Sequence, residues 1–388
     1  MNKLIYLDNA ATSFPKPISV EKKVEQTIRF FCANPGRSSH KLSLRAAEEV
    51  YLCRKKIADL FGGSDERVVF TTNATVSINT ALKSVLRRGD HVLISDIEHN
   101  AVLRPVAALA KRGLITYSIF KASENPSLLI QEISSKIKPQ TSLVICCHHS
   151  NICNFTIPVS AVGDFCKKNG ITFMVDASQS AGIIPTDIVN DRIDILCAPG
   201  HKGLCGIPGC GFCLFGDKFE NASLLSTFTE GGNGIASENL YMPDFLPERL
   251  EAGTLPLPAI TSLSAGIDFI RRTGPEKIHS KETYLCSVLR KKLSRNDNIK
   301  IFSEKDGSIL LFSVKNRTSE DFASALDSEG ICVRAGLHCA PLAHKKFGTP
   351  PDGAVRVSFS YFNTLADVEK FASTCDKLTC GCQNITPD

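Results

Sequence analysis

Between about residue 65 and residue 215 of this chain, short apolar runs alternate with helix-periodic segments. That rhythm constrains the fold more than any other feature. The runs are "RVVFTT", "DHVLIS", "LITYSIF", "TSLVICCHHS", "ITFMVDAS", "IDILCAPG" and "GCGFCLFG". The helical patterns between them include "TVSINTALKSVLRRG", "HNAVLRPVAALAKRG", "NPSLLIQEISSKI" and "VSAVGDFCKKNG". Strands that alternate with helices pair in parallel and need helical cover on both faces. The expectation is an α/β fold with a mostly parallel central sheet.

The rhythm breaks at Ser226–Pro258, a stretch rich in Gly and Pro without clean periodicity, which reads as a functional loop leaving the domain. Beyond it, "AITSLSAGIDFIRRTG" predicts a long helix, and "SILLFSV", "ICVRAG" and "GAVRVSF" predict strands of a smaller α+β domain. The expected division is a large domain over 15–258, a small one from 1–14 with 259–374, and a polar tail at 375–388 that frays.

Charge and targeting signals narrow the partners. Net charge is +5, with 45 basic and 40 acidic residues interspersed. That pattern argues against nucleic acid or a membrane surface. The start, "MNKLIYLDNAATSFPKP", has Asp8 and no apolar core, so it does not resemble a signal peptide. A cytoplasmic protein is expected, with its 16 cysteines mostly reduced.

In an open parallel sheet, ligands gather at the carboxyl ends of the strands. Those ends present "TTNAT" opening a helix, "DIEHN", "HHSN", "DASQ" and "PGHKG". The first suits a phosphate, because a helix N-terminus offers free N–H groups. Together they offer a lysine, a carboxylate, an imidazole and amides, the set that pyridoxal phosphate requires. No G-x-G-x-x-G follows the first strand, which argues against NAD.

"YLDNAAT", "NPGRSSHKLS", "EHNAV", "VDASQS", "GHKG", "EAGT" and "RAGLHCAP" occur in the order found in the class V aminotransferases, fold-type I pyridoxal-phosphate enzymes. Over roughly residues 5 to 372 the chain most resembles cysteine desulfurases and selenocysteine lyases. The resemblance implies that Lys202 carries the cofactor as a Schiff base and that Asp176 faces its pyridinium nitrogen. Gln179 and Asn151 reach the phenolic oxygen, His99 stacks on the ring, and Ala74, Thr75 and His201 bind phosphate. Thr254, after Gly253, reaches a neighbouring subunit's phosphate, which implies a homodimer. Arg356 holds the substrate carboxylate, with Arg334 near the same pocket. Two positions depart from the pattern: Pro199 replaces a hydroxyl residue near the phosphate, and Leu337 replaces the first of two histidines before Cys339.

On this reading Cys339 takes sulfur from L-cysteine, leaving L-alanine and a persulfide for a protein acceptor. Arg334, His338 and Lys345 favour its thiolate. L-Selenocysteine is the alternative substrate; aminotransferase or epimerase chemistry, and a sulfur or metal carrier, are more distant readings. For Cys339 with His338 and His344, an inert thiol or a metal site are the competing uses, and no metal is assigned. Cys197, Cys205, Cys210 and Cys213 could form a zinc or cluster site or a buried strand lining. Cys375, Cys380 and Cys382 could relay sulfur or bind a metal, or simply lie in the frayed tail.

Overall fold

The computed structural model describes residues 4–36, 39–235, 237–303 and 305–380. Arg37 and Ser38 of the "NPGRSSHKLS" motif and Cys382 of the tail lie outside the described residues. In chain order the strands are β1 (Ile5–Tyr6), β2 (Val68–Thr71), β3 (His91–Ser95), β4 (Thr116–Phe120), β5 (Thr141–Cys147), β6 (Thr172–Asp176), β7 (Ile195–Pro199), β8 (Gly211–Phe215), β9 (Ile299–Ile301), β10 (Ile309–Val314), β11 (Ile331–Cys332) and β12 (Val355–Ser358). The α-helices are α1 (Ile18–Phe30), α2 (Lys41–Phe61), α3 (Ala74–Val85), α4 (Asn100–Lys111), α5 (Pro126–Ser134), α6 (Val159–Lys168), α7 (Leu257–Thr273), α8 (Pro275–Leu293), α9 (Ser319–Ser328), α10 (Pro341–Lys346) and α11 (Leu365–Cys380). The chain divides into a larger unit, Lys16–His149 with Thr156–Arg272, and a smaller one, Met1–Pro15 with Ser150–Phe155 and Thr273–Asp388.

The larger unit carries a seven-stranded sheet in the order β2-β8-β7-β6-β5-β3-β4. Only β8 runs against its neighbours, β2 and β7. The inner strands are apolar on both faces because both faces are covered. On one face Ile78 and Leu82 of α3 and Val102 and Val106 of α4 pack on Val92, Ile94, Ile145 and Ile195. The edge strand β4 shows the other pattern: Thr116, Tyr117 and Ile119 are exposed and only Phe120 is buried. The expected α/β sheet is therefore present.

The smaller unit is built on the antiparallel sheet β12-β10-β9 and a two-residue parallel pair, β1 with β11. Its core surrounds Phe312, which meets Phe322 of α9 and Phe371 of α11 edge-on at ring separations of 6.0 and 6.2 Å. Edge-to-face packing of this kind adds about 0.5–1.5 kcal/mol per pair beyond area burial. The end of the chain differs from the expectation of a frayed tail beginning at Cys375. Helix α11 runs to Cys380, and Cys375 is fully buried beside Phe371 in this core. The apolar stripe Val368, Phe371, Ala372, Cys375 recurs at helical spacing, and it outweighs the polar residues between.

Candidate functional site

In the larger unit, strands β2, β3, β5, β6 and β7 all end at one edge of the sheet. The turn after β2 is shaped by Asn73, whose side chain caps α3 by accepting from the Val76 N–H at 3.0 Å. Ala74 and Thr75 then lead the helix, where backbone N–H groups have no partner inside it. Gly211 makes this turn possible: a Cβ there would lie 2.6 Å from the Asn73 carbonyl carbon.

His99 caps α4 through its ring. Nδ1 accepts the Ala101 N–H at 3.0 Å, so Nδ1 is unprotonated and a neutral ring carries its hydrogen on Nε2. Glu98, fully buried beside it, accepts from Ser95 Oγ and, at 2.7 Å, from the Cys147 N–H. Burial first, with Asp176 adding repulsion, pushes its carboxyl up to about 8. Asp176 ends β6 almost fully buried, and its Oδ1 accepts from both the N–H and the hydroxyl of Ser178. Gln179 follows in the same turn, half-buried.

His201 and Lys202 sit in a tight turn after β7, closed by Gly206 N–H to Gly200 O at 2.8 Å and Cys205 N–H to Lys202 O at 2.8 Å. Gly203 is required here, since a Cβ would stand 2.4 Å from the Ala181 carbonyl oxygen. A second amine joins the turn: Lys16 Nζ donates to the His201 carbonyl at 2.9 Å. Burial lowers Lys16 to about 8 and His201 to about 4, the latter with help from Lys202 and Lys16. No periodicity signals Lys16, which arrives from 185 positions upstream. Thr254 is exposed, after Gly253 in a left-handed conformation.

The smaller unit gathers Asp8, Asn151, Arg334, His338, Cys339 and Arg356. Arg334, just past β11, and Arg356 of β12 form an isolated antiparallel bridge. The Arg356 guanidinium is 1% exposed; NH2 donates to Asp8 Oδ1 at 2.6 Å and NH1 to the Asn151 carbonyl at 2.9 Å. Its Nε and the Asn151 Oδ1 are buried without a partner among the described residues. His338 and Cys339 are both left-handed, at φ +50° and +56°, which costs about 1–2 kcal/mol for each. The Cys339 Sγ is half-buried, 3.7 Å from an Arg334 NH2.

Hydrogen bonds compensate for that backbone. Asn151 Nδ2 donates to the His338 carbonyl at 2.8 Å. His338 Nε2 faces the Arg334 carbonyl at 3.2 Å, which can only accept, so Nε2 carries the hydrogen. His338 Nδ1 must then accept from His344 Nε2 at 3.0 Å, and His344 Nδ1 from the Thr349 hydroxyl at 2.8 Å. The two rings stack within 8° of parallel. Burial, aided by the Arg356 charge, lowers His338 to about 2 and His344 to about 4, so both stay neutral. Leu337, which replaces the first histidine of the class-V pattern, is 41% exposed.

Of the thiols that flank Lys202 in sequence, Cys205 shares its turn, and Cys197, Cys210 and Cys213 lie in or next to the buried strands β7 and β8. Cys197 and Cys213 meet across β7 and β8 with Sγ atoms 3.8 Å apart, fully buried, and Cys210 is buried too. Cys205 is half-buried. Among the described residues, no group of three or more His, Cys, Asp or Glu side chains is placed to hold a metal ion.

A family model, aminotransferase class-V, matches residues 5–371. The chain belongs to the aminotransferase class-V family. A probable cysteine desulfurase of Methanothermobacter thermautotrophicus is 31% identical, over 96% of this chain and 94% of that protein. A cysteine desulfurase of Haloferax volcanii is 29% identical, over 96% and 89%. Among solved structures, the apo cysteine desulfurase of Thermococcus onnurineus superposes with a TM-score of 0.88 at 29% identity, covering 98% of this chain and 96% of that one. The Escherichia coli cysteine desulfurase CsdA gives 0.86 at 25%, covering 96% and 94%. Relative to the class-V pattern, Pro199 occupies the last position of β7, paired with Gly211, and offers no hydroxyl. No helix among the described residues is long and apolar enough to cross a membrane.

Proposed function

We propose that this chain is a pyridoxal-phosphate-dependent cysteine desulfurase that converts L-cysteine to L-alanine and holds the sulfur as a persulfide on Cys339 for a protein acceptor. The observation that carries this reading is the smaller unit's cluster. A thiol on a fixed, left-handed turn stands beside one arginine, and a second, buried arginine keeps a donor unpaired. An unpaired guanidinium N–H shut away from water is costly, and a substrate carboxylate would satisfy it.

Several features of the larger unit suit the cofactor. The Ala74 and Thr75 N–H groups, with His201, would take the phosphate. Asp176, aligned by Ser178, would face the pyridinium nitrogen, and Gln179 the phenolic oxygen. His99, its ring orientation set by the Ala101 N–H, would lie on the ring. When bound through Lys202, pyridoxal phosphate supplies an electron sink that loosens the substrate's Cα proton and makes its sulfur electrophilic.

Lys202 moves the Cα proton, and Arg356 with Asn151 orients the carboxylate. The Cys339 sulfur, 3.7 Å from an Arg334 NH2, attacks as the thiolate and takes the sulfur. The carbon–sulfur bond breaks and a sulfur–sulfur bond forms. The electron pair stays on carbon, which takes a proton to become the methyl of alanine. The exposed apolar side chains Ile28 and Phe30 of α1, Leu44 of α2, and Leu240 and Tyr241 support a homodimer, in which Thr254 reaches the partner's phosphate.

The test compares Cys339→Ser with the wild type on L-cysteine and L-selenocysteine. Alanine should form from both with the wild type, and the substitution should abolish the L-cysteine reaction. Undiminished turnover of L-cysteine by Cys339→Ser would overturn the persulfide mechanism. Wild-type turnover of L-selenocysteine alone would reassign the substrate.

A further inference from the structure

We propose that Asp8 is a positioning residue for Arg356, one that sets the site's net charge and with it the class of amino acid accepted. This deepens the proposed function and rests on its assignment of Arg356 to the substrate carboxylate. Asp8 is held on a rail beside the strand that carries Arg356. Asp8 bridges Ser358, the Ser358 N–H donates to Leu7 O at 2.8 Å, and Asn9 Nδ2 donates to Ser358 O at 3.0 Å. This pairing fixes the Asp8 backbone beside the strand that carries Arg356.

A guanidinium has five N–H donors in one plane. Asp8 holds it at NH2 and the Asn151 carbonyl holds it at NH1. Two fixed corners fix the plane, and the remaining donors include the unpartnered, buried Nε. The unpartnered Asn151 Oδ1 adds an acceptor in the same unit. An α-amino acid carries the complementary pair, a carboxylate that accepts and an amine that donates.

Charge acts beside geometry. Arg334 and Arg356 are bridged backbone to backbone, and the Asp8 carboxylate pairs with Arg356, so Asp8 takes one unit of positive charge from the site. Without it the site would draw a second anionic group more strongly. The substrate's sulfur must meet Cys339, and Arg334 lies 3.7 Å from that thiol. An anionic side chain would meet Arg334, and Asp8 offsets the attraction.

The experiment uses the cofactor-loaded protein and two amino acids that lack a thiol, L-alanine and L-cysteate, with affinities measured by calorimetry. Asp8→Asn keeps an acceptor oxygen and removes the charge. It should leave alanine binding within about threefold and improve cysteate relative to alanine by about tenfold. Asp8→Ala loses the acceptor as well and should weaken alanine binding about tenfold or more. The lysine-bound cofactor's visible absorption should be the same in all three proteins, which separates positioning from misfolding. An unchanged cysteate-to-alanine ratio in whichever variant folds overturns the proposal. Because the readout is ligand binding, it stands apart from alanine release from L-cysteine, whose absence would instead sink the proposed activity.

Discussion

Replacing His344 by Ala should loosen the turn that carries Cys339. The substitution strips the donor from His338 Nδ1 and the acceptor from the Thr349 hydroxyl, and His338 is buried. The Thr349 hydroxyl keeps the His344 and Pro350 carbonyls within 3.4 Å, so the buried loss is at His338. Leaving that atom unpaired costs about 1–3 kcal/mol, and with the stacked ring gone the total is roughly 3 kcal/mol. At about 1.4 kcal/mol per tenfold, opening of the loop becomes a hundredfold or more easier. Native-state hydrogen exchange reads this at amides bonded within the loop: Ala340 to Leu337 O, His344 to Ala340 O and Thr349 to His344 O. Their protection should fall by about two orders of magnitude, and His344→Gln, which keeps a donor, should recover part of it. The pH dependence has a definite sign. Both rings have lowered values in the fold, so acid favours the open state. Protection in the wild type should decline as pH falls from 6.5 toward 4. A change of less than threefold on substitution would refute the idea that the imidazole chain holds the turn.

Glu98 is raised from 4.5 to about 8, so its folded form is the neutral acid, and its contribution is lost as pH rises through that window. Relative to the wild type, Glu98→Gln should gain urea resistance steadily from pH 4.5 to pH 8, with no difference in trend below pH 4.5; a wild-type-to-variant difference that does not change with pH would argue that Glu98 is ionised. Glu251 pairs with Arg54 through two bonds of 2.9 and 2.6 Å, both side chains about nine-tenths buried, just before the exposed Gly253 and Thr254. Glu251→Ala strands the arginine and should destabilise the larger unit by about 3–5 kcal/mol in urea titration. Light scattering should report a dimer, and Tyr241→Asp, at an 83% exposed apolar site, should shift it toward monomer.

The sheet was legible in the sequence because its strands are short and buried on both faces, so β3 and β5 through β8 read as unbroken apolar runs. The strand-end positions of Lys202, Asp176 and His99 were legible for the same reason, since each lies at or just past the carboxyl end of such a run. The two-residue strands β1 and β11 are too short to show a period, and their pairing spans most of the chain. The Asp8–Arg356 pair spans 348 positions, and nothing local announces it. The sequence set His338 beside Cys339, and His344 there only as a metal possibility; that the two rings pair with each other, with His344 reaching back over one turn of α10, was not legible. Cys375 was hidden by its polar neighbours, although the spacing to Phe371 carried the signal.

The central claim is that sulfur leaves L-cysteine onto Cys339. The most direct measurement is a single turnover of cofactor-loaded protein with L-cysteine bearing heavy sulfur, followed by mass spectrometry of the peptide containing Cys339. The account predicts one heavy sulfur on Cys339 for each alanine released, removed by a thiol reductant. Alanine released with every heavy sulfur in solution or on another cysteine would contradict it.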